Sequence, residues 1–194
     1  MDSLALAFSS GWASGINAYL VLLVLGIGER VNETATVPDV LARPEVLVAA
    51  GLLFAVEFVA DKIPIVDSGW DAISTAIRPT IGAVLGVLLA GEVDTLEQAV
   101  TGVVGGGSAL ASHAVKAGTR LAINASPEPF SNVIASVTED TLVLGVVWFA
   151  IDHPEAAAVI AGVLLALGLA ALVVAIKLIR RGIQRFRARR ASPA

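Results

Sequence analysis

Apolar residues dominate this chain in six long stretches, separated by short polar or proline-bearing segments. They run Leu4–Gly28, Val46–Ile63, Asp71–Ala90, Ala99–Ile123, Asn132–Ile151 and Ala156–Ile179. Each is close to the ~20 residues that carry a helix across the ~30 Å hydrocarbon core of a bilayer. The pattern therefore predicts an all-α fold, a polytopic transmembrane helical bundle of about six spans. The last stretch is the clearest: 156–176 contains no charge, and a basic run follows it directly. A five-span version, with the first segment re-entering the membrane from one side, is the alternative. Leu4–Gly28 lacks a basic leader and reads as a retained segment and not a signal peptide.

Composition agrees with this pattern. Of 194 residues, 56% are hydrophobic and only 15% charged, with mean hydropathy +0.82. Soluble domains carry about 25% charged residues, so lipid must solvate much of this surface. Residues 1–180 read as one integral membrane domain and 181–194 as a basic cytoplasmic tail. The chain has no cysteine, which removes disulfides and thiolate metal sites.

Charge sets the expected orientation. Seven of the 13 Lys and Arg fall between Lys177 and Arg190, a run that should stay in the cytoplasm. With six spans the N-terminus is then cytoplasmic too, and the expected location is the inner or plasma membrane. The tail serves as a topology signal; a basic amphipathic helix on anionic lipid is the second reading.

The ionisable residues inside the apolar stretches are the main candidates for function, because each is costly in a bilayer and needs a partner, a wet cavity or a role. On the six-span topology they gather at the cytoplasmic ends of two hairpins. Glu57 and Asp61 share a helix face at i,i+4, as do Asp71, Ser74 and Arg78, and His113, Lys116 and Arg120, at i, i+3, i+7. Asn132, Ser136, Glu139 and Asp140 line one side of the fifth segment, and Asp67 opens the third. Such stripes must face one another in lipid. Expected partners are Arg78 with Glu139 or Asp140, and Lys116 or Arg120 with Asp61 or Asp67. Interhelical ion pairs and snorkelling explain Lys62, Lys116, Arg120 and Asp67 without a binding role. Glu57, Asp61, Arg78 and Glu139 lie deeper and favour one. His113 has no second ligand at metal spacing. It reads as a hydrogen-bonded histidine, with proton relay as the functional alternative.

Backbone breakers add a second signal. Gly15 and Asn17 sit in a run of small residues in the first segment, and Gly105, Gly106 and Gly107 interrupt the fourth. Small residues permit close helix approach; an unwound backbone would instead offer amides or carbonyls to a ligand. Pro79, next to Arg78, is expected to kink the third segment.

Several of these motifs are distinctive. Glu57-Phe58-Val59-Ala60-Asp61-Lys62-Ile63-Pro64-Ile65-Val66-Asp67-Ser68-Gly69-Trp70-Asp71, followed by Ile77-Arg78-Pro79, is one, and Ser14-Gly15-Ile16-Asn17-Ala18-Tyr19 is a second. Lys116-Ala117-Gly118-Thr119-Arg120-Leu121-Ala122-Ile123-Asn124 and Ser126-Pro127-Glu128-Pro129-Phe130-Ser131-Asn132, leading to Glu139-Asp140, complete the set. Together they resemble the bacterial membrane-protein family catalogued as domain of unknown function 4126, over about Leu4 to Asp152. The resemblance implies a multi-pass membrane protein and carries no catalytic role.

The favoured expectation is a small transporter or channel with a cytoplasmic-facing, mixed-charge cavity for an ion or small polar solute. An intramembrane enzyme or binder of phosphate-bearing lipid is the second, with Arg78, Lys116 and Arg120 on the phosphate. A structural or assembly subunit, in which the stripes set helix register, is the third. No nucleophile motif, phosphate loop or zinc motif appears, so no cofactor is expected and enzymatic activity is disfavoured. The partner expected is membrane lipid, with a small ion, polar solute or phosphate-bearing lipid as candidate ligand and an oligomer open, and no nucleic acid.

Overall fold

The computed structural model describes residues 2–32, 36–124 and 130–191. Pro127 and Pro129 of the motif above lie outside them. Six helices account for the described chain: α1 Asp2–Asn32, α2 Pro44–Ala60, α3 Pro64–Ala90, α4 Thr95–Asn124, α5 Phe130–Asp152 and α6 Pro154–Ala191, with a 3-10 turn at Asp39–Ala42. The all-α bundle is as the sequence predicts. Pro44, Pro64 and Pro154 each open a helix, where the missing N–H costs nothing. Gly91, at φ 70°, ends α3 in a conformation that suits only glycine. The Asp94 carboxylate then caps α4 by accepting the N–H groups of Leu96 and Glu97 at 2.9 and 3.0 Å.

Helix α1 is two arms joined at Asn17, whose backbone (φ −149°, ψ 95°) is extended and not helical. The break is built by the residue itself. The Asn17 Oδ1 accepts the N–H of Leu20 at 3.0 Å, the N-cap bond that starts a new helix. The first arm lies beside α4 in one register: Ser108, Ser112 and Lys116 donate to the carbonyls of Phe8, Trp12 and Ile16, each 100 residues apart. The second arm lies beside α5 in another. Asn17 meets Asp140 at a separation of 123 residues, and Gly28 packs on Ile151 at the same offset. Helices α4 and α5 run in opposite directions. Arg120, late in α4, touches Asn132, early in α5, whereas Val104, early in α4, shares a cavity wall with Glu155, just past the end of α5. The arms of α1 are therefore antiparallel, and both ends stand at the α5–α6 turn, Leu4 near Glu155 and Gly28 on Ile151.

The six-helix bundle is as expected, and at α1 the geometry matches the re-entrant alternative. Four segments (α1, 65–90, α5 and 154–181) are long and apolar enough to cross a membrane by length and composition. For α1 that length is spent on two arms of about 15 residues, each about 22 Å long at 1.5 Å per residue. An arm that short falls below the ~30 Å core. After the re-entrant pair the chain traverses the bundle five times, so the two ends of the described chain lie at opposite ends of the molecule.

A further expectation is corrected. Helix α4 is continuous from Thr95 to Asn124 through Gly105, Gly106 and Gly107; α3 continues through Pro79. Gly105 and Gly106 are used for packing. A Cβ on Gly105 would stand 2.3 Å from the Gly82 carbonyl oxygen, and one on Gly11 would stand 2.3 Å from that of Gly105. Three helices thus meet almost backbone to backbone, as small residues allow in membranes. The apolar core runs along α1 with Leu6, Trp12, Val21, Leu25, Leu85, Val143 and Val147. Much of α6 is uncovered, Val163 and Leu167 being 54% and 62% exposed, as lipid-facing residues are.

Candidate functional site

The polar stripes converge at the end of the bundle away from the α5–α6 turn. Like Arg120, Arg78 is buried, 1% exposed. Its Nη2 donates to Glu57 Oε1 at 2.5 Å. Its Nη1 donates to Asp71 Oδ1 at 3.0 Å and reaches the Gly15 carbonyl at 3.4 Å and His113 Nδ1 at 2.9 Å. Arginine has no acceptor, so the last contact is a hydrogen bond only when Nδ1 is bare. His113 is then neutral, with its proton on Nε2. That proton goes to Thr75 Oγ1 at 3.0 Å, and the Thr75 hydroxyl donates onward to the Asp71 carbonyl. Ser14 donates to the Arg78 carbonyl at 3.1 Å, which fixes α3 to the first arm of α1.

One turn along, Lys116 donates to Asp61 Oδ2 at 2.6 Å and to the Ile16 carbonyl at 3.0 Å. Glu139 and Glu57 stand 3.8 and 4.0 Å from the same ammonium. Arg120 binds Glu139 side-on, Nη2 to Oε2 at 2.6 Å and Nε to Oε1 at 3.3 Å, a two-point geometry that only a guanidinium offers. Its Nη1 also donates to the Asn132 side chain and to the Asp61 carbonyl, and Asp67 lies 3.9 Å away. Asn132 Nδ2 returns a bond to the Asp61 carbonyl at 2.9 Å.

All eleven candidate ionisable and amide residues lie in this region, and all except Glu139 are buried. The expected partners are right for Lys116 and Arg120 with Asp61 and Asp67. They are wrong for Arg78, which pairs with Glu57 and Asp71 because α2 and α3 present those acids at its own depth. Asp140 binds the Asn17 amide at 2.9 Å. Lys62 sits at the edge, 3.0 Å above the Phe58 ring and donating to the Phe58 carbonyl.

The break in α1 connects backbone to network. A helix ends with carbonyls that lack partners and begins with N–H groups that lack them. The first arm's closing carbonyls at Gly15 and Ile16 face Arg78 and Lys116. The second arm's start, at Asn17, faces the Asp140 carboxyl. Cations thus sit at the negative end of one half-helix dipole and an acid at the positive end of the other. Sequence reading found Asn17 but missed this use of Gly15 and Ile16, and it missed Ser14, Thr75, Ser108 and Ser112. The i,i+4 spacing of Ser108, Ser112 and Lys116 against Phe8, Trp12 and Ile16 was the available signal.

Two cavities flank the ion pairs. One, of about 150 Å³, lies between α1, α4, α5 and α6; its walls include Trp12, Leu142 and Leu164, and Lys116 and Glu139 form its polar end. The other, of about 190 Å³, lies between α3 and α4 and reaches Asp71, Thr75 and Arg120. The Arg120–Glu139 pair stands between them, one partner lining each. Among the described residues no group of three His, Cys, Asp or Glu is arranged to hold a metal ion.

The helices that could cross a membrane mark this as a membrane protein. No curated protein and no solved structure matches the chain. A family model does match, over residues 4–174, and so extends past the motifs that suggested it. The chain belongs to the family described as a domain of unknown function (DUF4126).

Proposed function

We propose that this protein is a small membrane transporter or channel whose solute site lies at the break in α1. The observation that carries this reading is the re-entrant hairpin. Its two broken ends meet side chains of opposite charge, Arg78 and Lys116 at one end and Asp140 at the other. Half-helix ends of this kind suit ions and small charged solutes. The basic run on α6 extends from the network end, while Asp2, Asp39, Glu45, Glu92, Asp94, Glu97 and Glu155 belong to the opposite end, where the bases are Arg30 and Arg43. The positive-inside rule then gives a cytoplasmic network and an outer N-terminus. The close packing at Gly11, Gly82 and Gly105 closes the outer half, so the state described is shut toward the outside. Reconstitution into liposomes tests the reading, with uptake of small cations, anions and amino acids measured. Flux that falls at least tenfold in Glu57→Gln and Asn17→Ala, both retained in the membrane fraction, is the expected result. No flux of any of these solutes by the wild type would contradict it.

The cavity between α1, α4, α5 and α6 favours a second reading, an amphiphile site. Its apolar walls and charged end suit an alkyl chain with a polar head. Native mass spectrometry distinguishes the two: a stoichiometrically retained phosphate-bearing lipid, lost in Lys116→Gln, supports the second.

A further inference from the structure

We propose that Asp140 is a proton-binding site, and that its protonation governs the hold on the turn of α1. Six buried or largely buried acids (Glu57, Asp61, Asp67, Asp71, Glu139 and Asp140) surround three buried basic side chains, Arg78, Lys116 and Arg120. His113 is neutral in this arrangement and adds no charge. Glu57 and Asp71 contact Arg78, Asp61 contacts Lys116, and Glu139 and Asp67 contact Arg120. Asp140 is the member of the six with no cation within ion-pairing distance among the described residues. Its Oδ1 accepts from the neutral Asn17 amide, and its buried Oδ2 has no hydrogen-bond partner there.

The groups facing Asp140 oppose one another. The Asn17 amide and the N-terminus of the second arm favour the carboxylate, as do Lys116 from α4 and Lys62 from the α2–α3 turn at longer range. Burial within the bundle and the Asp61 carboxylate favour the neutral acid. Ser136 and Glu139 flank it on its own helix, with Ser136 tied to Lys62 at 3.5 Å. Asp140 thus meets no cation in contact, whereas each of its five neighbours has one within 4.0 Å, and this sets it apart as the carboxyl open to a proton. The step is a carboxylate taking up one proton from water to give the neutral acid, with no co-reactant. The neutral acid no longer complements the helix end at Asn17, and the orientation of Asn17 is fixed by its cap bond to Leu20. Proton binding therefore loosens the contact that fastens the α1 turn to α5.

A coupling role for this proton rests on the transport reading; the site itself does not. The test is infrared difference spectroscopy of the full chain in lipid nanodiscs during a pH titration, with and without ¹³C-labelled aspartate. A protonated-carboxyl band that shifts on labelling, vanishes as pH rises and is missing from Asp140→Asn supports the site. A band that persists in Asp140→Asn, or no label-sensitive band at any pH at which the protein stays folded, overturns it. Should Asp140→Asn fail to fold, Asn17→Ala takes its place, and a band at the same midpoint as the wild type overturns the proposal. Flux without the band leaves transport standing and removes the proton site; the band without flux does the reverse.

Discussion

Arg78 is a central tie in the polar layer. It joins α2, α3, α4 and the first arm of α1 through Glu57, Asp71, His113 and the Gly15 carbonyl. Removing one partner of a buried ion pair leaves the other charge uncompensated, at a cost of about 3–5 kcal/mol. Arg78→Ala should lose at least that much, since it strands two acids, read as a lowered unfolding temperature or loss of the folded protein. Arg78→Lys should recover only part of it, because one ammonium cannot span four partners in two directions. Full recovery by lysine would show that charge alone matters at this position. At this scale much was legible beforehand. The cost of charge in lipid singled out residues that the fold brings together, and i,i+4 spacing assigned their faces. The pairing of Arg78 was not legible, because it depends on the depth at which α2 meets α3, and spacing within one helix says nothing about that.

At the scale of elements, glycine position decides how helices meet. Gly105 touches the backbone of both Gly82 and Gly11, whereas Gly107, two residues on, has nothing within 4 Å of where a Cβ would stand. Gly105→Val should therefore separate α3 from α4 and destabilise strongly. Gly107→Ala should be neutral or stabilise by up to about 1 kcal/mol, the helix-propensity difference. Thermal unfolding in detergent checks both, and equal effects at the two positions would contradict the packing described. Composition misleads here: three glycines in a row look like a helix break, yet contact with α1 and α3 keeps α4 intact. Asn17 shows the converse. A single asparagine in a small-residue run looks minor, but its side chain caps a new helix and turns the chain back. Sequence identified Asn17 as a breaker; the size of the turn came only from the registers beside α4 and α5.

For the whole molecule, the re-entrant hairpin changes what charge implies about topology. With six spans the acidic, base-poor N-terminal region had to be cytoplasmic, against the usual preference. With five traversals it lies opposite the basic end of α6, and the asymmetry sharpens: acids outnumber Arg30 and Arg43 in the turns at one end, bases run beyond the other, and a mixed-charge layer lies just inside the basic end. Hydropathy could not separate one span from two short arms, because both give the same apolar stretch. The absence of cysteine makes a direct measurement simple. Single cysteines placed at Ser3 and at Ser192 can be labelled in intact and in permeabilised cells with a membrane-impermeant maleimide. The hairpin predicts opposite behaviour, Ser3→Cys labelled from outside and Ser192→Cys only after permeabilisation. Both positions protected in intact cells, or both labelled, would mean that α1 crosses the membrane and does not turn back at Asn17.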